Sequence, residues 1–393
     1  MNTHQRPRLH LMQESQLGED SWHSLLISLL RGLAALQVAA AHLRAEFFPG
    51  MRSLPDPSLW YQALAFFTGF AHQAVVVFFL ISGWLVGGSF LNKMGKPDAL
   101  RLYAIDRVTR LWTVLIPTFA LIIAFGIVTG MIEPRGVDFS VSNAYSVASL
   151  AGNLTGMQTI LVPPFGDNYP LWSLANESWY YLMFPLLVLS FTSRSRAVPA
   201  LALLACTLLL PFILVLYFSI WLMGAAFSRV RIECGAFTRW TLAIILGALS
   251  VYFRITGNND DQTLDSFGPD LLMSVVFMLL LSTTIVMPSA SSKVAAPLRK
   301  LATLLSNFSF TLYVVHLPVL SMLRWLGIHL FGRVGLRPDH LGDLGLYFIM
   351  LAIMVGFAYC FYRLFEARTY QLRRALKRLL EAGKPVRAAA LKL

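Results

Sequence analysis

The chain has 393 residues, of which 56% are apolar and only 13% are Asp, Glu, Lys or Arg, against roughly 25% charged in an ordinary soluble protein. With a mean hydropathy of +0.63, too few charges remain to cover a soluble surface of this size, whereas a lipid-facing surface needs none. The net charge of +12 has its ordinary source in the basic cytoplasmic loops of membrane proteins, so no nucleic acid is expected as a partner, and Cys206, Cys234 and Cys360, odd in number and far apart, frame neither disulfides nor a metal site.

The first 22 residues are polar and mix acids with bases. They lack a short apolar core followed by small residues, so they read as a cytoplasmic tail and not a cleaved signal peptide. Apolar stretches then run from 24 to 43, 62 to 91, 111 to 130, 170 to 190, 197 to 227, 240 to 255, 269 to 287, 301 to 326 and 344 to 365. Each comes near the roughly 20 residues that carry a helix across a bilayer. The stretch from 197 to 227 is too long for one pass, about 46 Å at 1.5 Å per residue, and Pro211 near its middle splits it into two short passes or the arms of a re-entrant hairpin.

Counted as two passes, that stretch gives an all-α polytopic membrane protein, a bundle of about ten transmembrane helices with both termini cytoplasmic. In this arrangement 24 of the 32 Lys and Arg lie on the cytoplasmic side, 7 lie outside and Arg31 is within a span, a bias that sets the orientation. The longest outside connection, 131 to 169, contains Pro134, Pro163, Pro164 and Gly166, and its apolar part from 144 to 162 is a candidate to dip into the membrane. Residues 1–22 and 371–393 are then cytoplasmic tails around a membrane domain at 23–370, and the basic stretch from Arg363 to Lys392 has the helical spacing to lie along an anionic leaflet.

Polar residues inside the spans carry the chemistry. Arg31 lies seven residues into the first span, where a central arginine costs about 2.5 to 3.5 kcal/mol. His42 follows eleven residues later, about 1100° of rotation and 16.5 Å of rise, so the two share one helix face half a membrane apart. His72 sits near the outer half of the second span, which continues as Phe78-Phe79-Leu80-Ile81-Ser82-Gly83; Ser82-Gly83 reads as a small-residue packing site as readily as a reactive one. Arg107 and Arg110, spaced i, i+3 at the inner mouth of the third span, can clamp a phosphate, although basic residues also collect there by the positive-inside rule.

The fourth span opens with Pro170-Leu171-Trp172-Ser173-Leu174-Ala175-Asn176-Glu177, an acid at its outer end, and a later span contains Tyr313-Val314-Val315-His316. Three histidines, one carboxylate and one arginine are therefore expected to converge near the outer half of the bundle. Histidine can take a proton from a hydroxyl or carry an acyl group, a carboxylate can hold its ring, and arginine can stabilise an oxyanion. That set suits acyl transfer. No span carries His-Glu-x-x-His or clustered Cys and His, so no metal is expected.

In order along the chain, Arg31-Gly32-Leu33-Ala34-Ala35 with His42, Phe78-Phe79-x-x-Ser82-Gly83, Arg107-x-x-Arg110, Leu171-Trp172-Ser173-Leu174-x-x-Glu177, Leu312-Tyr313-x-x-His316 and Arg363-Leu364-Phe365-Glu366 resemble the acyltransferase-3 family of membrane O-acyltransferases. The resemblance covers about residues 24 to 370 and implies a ten-helix fold. It implies transfer of an acyl group, usually acetyl from cytoplasmic acetyl-CoA, to a carbohydrate at or bound for the cell surface. Carried over residue by residue, it makes His42 the catalytic histidine, Arg31 its partner and Glu177 an active-site acid. Arg107 and Arg110 would contact CoA, and His72, Ser82, Trp172, Tyr313 and His316 would support the site.

There are departures from the family pattern. Many members carry Asp where this chain has Ser28, and a second acid where it has Ser178, which puts the proton path in doubt but not the class. Within this chain no esterase-like domain follows the last span, so the membrane domain or a separate protein is expected to handle the acceptor. The acceptor that the resemblance implies is an exopolysaccharide, a lipopolysaccharide or a lipid-linked glycan, and the protein is expected in a bacterial inner (cytoplasmic) membrane. The reading from another class is a transporter or flippase for a polar lipid or sugar, since buried Arg, His and Glu also mark substrate pathways; no internal repeat of the kind transporters often carry is seen.

Overall fold

The computed structural model describes residues 6–15, 17–18, 21–132, 139–257, 262–287 and 295–382. Pro134, Arg135 and the basic stretch past 382 lie outside the described residues. Ser21 opens the first helix, α1 (Trp22–Phe47), its hydroxyl accepting from the Ser24 N–H as an N-cap. Helices α2 (Leu59–Phe67) and α3 (Ala71–Ser82) meet at a corner over 68–70, and α3 runs on through a π-turn, Gly83–Gly87, into α4 (Gly88–Lys93). Next come α5 (Ala99–Thr129), the short α6 (Val147–Leu154) and α7 (Leu171–Thr192). Helices α8 (Ala197–Leu209) and α9 (Phe212–Phe227) break at Leu210–Pro211, where proline ends one helix and starts the next. The chain then forms α10 (Ala236–Thr256), α11 (Leu264–Thr283), α12 (Ala295–Phe331), α13 (Leu341–Leu364) and α14 (Thr369–Ala382).

Among the described residues seven helical units are long and apolar enough to cross a membrane: Trp22–Ser53, Leu59–Lys93, Ala99–Thr129, Ala236–Thr256, Leu264–Val286, Ala296–Phe331 and Leu341–Leu380. Two shorter apolar helices are α8 and α9. Helix α7 has 22 residues, but its first half is spent on Ser173, Asn176, Glu177 and two tyrosines, which dilutes its hydropathy. The outward faces fit a lipid solvent. On α10 only Phe253 is buried, while Phe237 and Trp240 stand 71% and 70% exposed, more open apolar surface than a protein in water tolerates.

Two features depart from the sequence reading. The all-α expectation omits a small sheet, in which β1 (Arg8–Leu11) of the N-terminal tail pairs antiparallel with β2 (Val230–Glu233), Arg8 opposite Glu233 and Leu11 opposite Val230. Its partners are too distant in sequence for a local pattern to reveal. Helix α5 begins at Ala99, twelve residues before the apolar run at 111, because arginine and leucine sustain a helix as well as apolar residues do. Arg107 and Arg110 therefore lie about 12 and 16 Å along α5 from its first residue.

Helix α1 sits between two apolar cores. Ile27, Ala34 and Val38 face a cluster built mainly from α3, α5, α7, α9 and α11, while Ala35, Ala39 and Leu43 face α12 and α13. Its most extensive partner is α12, which runs beside it in the same direction, bringing 306–310 level with Arg31 and His316 level with His42. On the other side α3 and α9 approach backbone to backbone. A Cβ on Gly83 would lie 2.0 Å from the Trp221 carbonyl oxygen, and one on Gly224 would lie 2.1 Å from that of Leu80, so only glycine fits either position. Segment 144–170 folds back onto α5 and α7: the Gln158 amide donates to the Leu171 carbonyl, and the indoles of Trp112 and Trp179 donate to the carbonyls of Leu154 and Gly156.

Candidate active site

A cavity of about 420 Å³ opens between α1, α3, α5, α7 and α12, with Arg31, Ser82, Arg107, Arg110, Glu177 and Tyr313 in its wall. The π-turn that starts at Gly83 lies directly after Ser82; such turns widen a helix locally and are frequent at functional sites. Ser82 donates to Glu177 at 2.5 Å and receives the Trp221 indole N–H at 3.2 Å, and Tyr181 donates to the same Glu177 oxygen at 2.5 Å. Glu177 is thus anchored by two hydroxyls.

The three arginines differ in what already holds them. Arg110 is ion-paired with the buried Glu366, whose second oxygen accepts from the Thr311 backbone N–H at 3.2 Å and its hydroxyl at 2.5 Å. Arg107 stacks over the rings of Tyr103 and Tyr181, 5.8 and 5.4 Å from their centroids, and its Nε is buried with no hydrogen-bond partner. Arg31 makes no hydrogen bond or ion pair among the described residues and faces the cavity. Three guanidiniums against Glu177 in the wall and Glu366 behind it leave an excess of positive charge. In a low-dielectric interior such an excess is costly until an anion balances it.

Above the cavity His42 and His316 form a pair, His42 Nδ1 lying 2.8 Å from His316 Nε2 with rings nearly parallel at 17°. The tautomers follow from the backbone. His316 Nδ1 is 2.7 Å from the Tyr313 carbonyl and 3.2 Å from that of Leu312, so it carries the proton and leaves Nε2 as an acceptor. His42 must then donate from Nδ1, which exposes a lone pair on its Nε2. Tyr169, half-exposed, meets the His42 ring edge-on at 5.1 Å. Tyr313 links the two levels: its hydroxyl is 2.6 Å from Ser173 Oγ and 3.0 Å from the Pro170 carbonyl, its ring lies 5.9 Å from that of His316, and its side chain lines the cavity.

The convergence expected from sequence is therefore divided. His42 and His316 meet, whereas Glu177 joins Arg31, Ser82, Arg107 and Arg110 and orients no histidine. His72 stands elsewhere: its Nε2 is 2.7 Å from Asp270 Oδ2, which also accepts from Tyr217 at 2.5 Å. Trp172 packs edge-on against Phe79 at 6.2 Å, and Ser178 donates back to the Leu174 carbonyl at 2.8 Å.

Sequence reasoning assigned no role to Glu366, Tyr181, Asp270 or Asp106. Glu366 carried a signal, as the acid closing the last apolar run in Arg363-Leu364-Phe365-Glu366. Asp106 lies beside Arg107 and pairs with Arg373 and Lys377, which docks α14 against α5. Among the described residues no group of three or more His, Cys, Asp and Glu side chains could hold a metal ion.

Comparison with known proteins agrees with the motif order. Residues 26–363 match the acyltransferase domain of the acyltransferase-3 family. A stretch of 160 residues is 31% identical to Acyltransferase MdmB of Streptomyces mycarofaciens, covering 40% of this chain and 37% of that protein. No solved structure matches the chain.

Proposed function

The chain belongs to the acyltransferase-3 family of membrane acyltransferases, and from that premise we propose that it moves an acetyl group from cytoplasmic acetyl-CoA to a hydroxyl of a surface or exported carbohydrate. The observation that carries this reading is the His42–His316 pair with its fixed tautomer. His42 Nε2 takes the proton of an acceptor hydroxyl, the oxygen attacks the thioester carbonyl, and the departing thiolate recovers the proton from His42, yielding the acetyl ester and free CoA. His316 positions the ring as a carboxylate does in other histidine dyads, but without adding a charge to the membrane interior.

The donor's phosphates answer the uncompensated charge below. Arg31 and Arg107, whose donors are uncommitted, take them first, while Arg110 is held by Glu366 and shapes the wall. Glu177 limits the excess of charge and, through Ser82 and Tyr181, fixes α3 against α7. On this reading α7, α8 and α9 complete ten passes and both termini are cytoplasmic. The basic bias of the loops and the parallel course of α1 and α12, which requires an even number of crossings between their starts, support this. The protein then belongs to a bacterial inner membrane, with the arginine cavity reached from the cytoplasm and the histidine pair nearer the outer face.

The test uses membranes holding the wild type or His42→Ala, incubated with acetyl-labelled CoA, following free CoA and label in the glycan fraction. Labelling that needs His42 is the expected result. Absence of turnover above empty membranes, even with added glycan and other acyl-CoA donors, would overturn the reading and favour a carrier of anionic lipids or sugars.

A further inference from the structure

The face of α1 opposite Arg31 and His42 lines a second cavity. This groove of about 770 Å³ is walled almost wholly by apolar side chains of α1, α2, α3, α10, α11 and α13, among them Leu33, Phe67, Phe70, Val77, Phe277 and Phe348. Leu33, Phe67 and Phe348 are 45%, 68% and 52% exposed along it, so it opens sideways to the hydrocarbon of the bilayer. Its outer end is different. There Thr68 and Phe70 form the corner between α2 and α3, and two guanidiniums flank that corner.

Arg44 donates from Nε to Thr68 Oγ1 at 2.9 Å, and no carboxylate pairs with it among the described residues. Arg254 packs so tightly over Gly69 that a Cβ there would fall 1.9 Å from its Nε, and it donates to the Ala65 carbonyl at 3.3 Å. An apolar channel ending in cationic donors at the membrane surface complements an amphiphile with a hydrocarbon chain and a phosphate.

Resting on the reading that the acceptor is a carbohydrate and that this end of α1 faces outward, we propose that the groove binds a lipid-linked acceptor, a single long hydrocarbon chain joined through phosphate to sugar, with the phosphate at Arg44. Arg44 is two residues beyond His42, a rise of about 3 Å with about 200° of rotation. The chain anchors the acceptor on one face of α1, and the sugars beyond its phosphate stand level with His42, half a turn around the helix. This makes the chain part of acceptor recognition and explains a groove placed across α1 from the histidine pair and separate from the donor cavity.

The experiment measures binding of radiolabelled farnesyl phosphate to the detergent-purified full chain, for the wild type, Arg44→Gln and Leu33→Trp, the last placing an indole in the groove from its lipid-exposed wall. Each variant is expected to weaken binding about tenfold, as is replacing the probe by farnesol, while dioleoyl phosphatidylglycerol displaces the probe poorly. Both positions are partly or largely exposed, and matching elution of the variants on size exclusion confirms that they fold. Unchanged affinity in both variants, or displacement by phosphatidylglycerol as efficient as by unlabelled farnesyl phosphate, overturns the proposal; the second result would make the groove an ordinary phospholipid site. Binding is read without any transfer reaction, so failure of the acetyltransferase reading appears as lost turnover with this binding intact, and failure of the groove as the reverse.

Discussion

The two ends of the face shared by Arg31 and His42 are built on opposite principles. At the lower end, cations outnumber anions and Arg107 leaves a buried donor unmatched. At the upper end, two neutral rings satisfy one another and a backbone carbonyl, and only one nitrogen lone pair is left over. The difference teaches that a buried site advertises its task by what it leaves unsatisfied: missing negative charge below suits binding an anion, and a free base above suits moving a proton. Position matters as well as an unmet group: in the His72–Asp270–Tyr217 cluster Asp270 Oδ1 is buried with no hydrogen-bond partner among the described residues, but the histidine is matched to the carboxylate and the cluster lines neither cavity.

Substitutions should separate these ends. The largest effect is expected for His42→Ala, which should lower acetyl transfer by about a thousandfold, within the range for loss of a general base, while donor affinity stays at the wild-type value. His316→Ala should cost about a hundredfold in kcat with little change in KM for the donor, because it frees the ring of His42 without touching the arginines. A loss confined to KM would contradict the positioning role. Arg107→Gln should raise the donor KM about tenfold and leave kcat within about twofold, the pattern of lost binding shared by ground and transition states.

Smaller effects on activity are expected outside the two ends. His72→Asn should lower the melting temperature, since it leaves Asp270 buried with one partner fewer, while turnover per folded molecule is unchanged. Glu233→Gln on β2 should lower the melting temperature slightly at neutral pH and leave turnover per folded molecule unchanged. The hydrogen bond from Arg231 holds the Glu233 carboxyl below its ordinary range. Its contribution is therefore present above the unfolded value and is lost as pH falls through the folded one, so the difference between variant and wild type should disappear in acid.

Much of this arrangement was legible in one dimension. The eleven-residue interval between Arg31 and His42 places both on one face, and the structure sets both against α12. Pro211 marked the break between α8 and α9. The pairings were not legible. Arg110 and Glu366 are 256 residues apart, and His72 and Asp270 are 198 apart; no local periodicity reports such distances. The start of α5 was not legible either, because an apolar run measures where charges stop and not where a helix starts. For Glu177 the residue was legible but its partner was not: a carboxylate expected to converge with the histidines finds Ser82 and Tyr181 in space.

The central claim is that binding and transfer are divided along α1, and it is tested most directly by equilibrium binding of a non-transferable thioether analogue of acetyl-CoA to the wild type, His42→Ala and Arg107→Gln, beside acetyl transfer by the same preparations. The account predicts wild-type affinity with lost transfer for His42→Ala, and about tenfold weaker binding with transfer restored at saturating donor for Arg107→Gln. Loss of analogue binding in His42→Ala, or full affinity in Arg107→Gln, would contradict it.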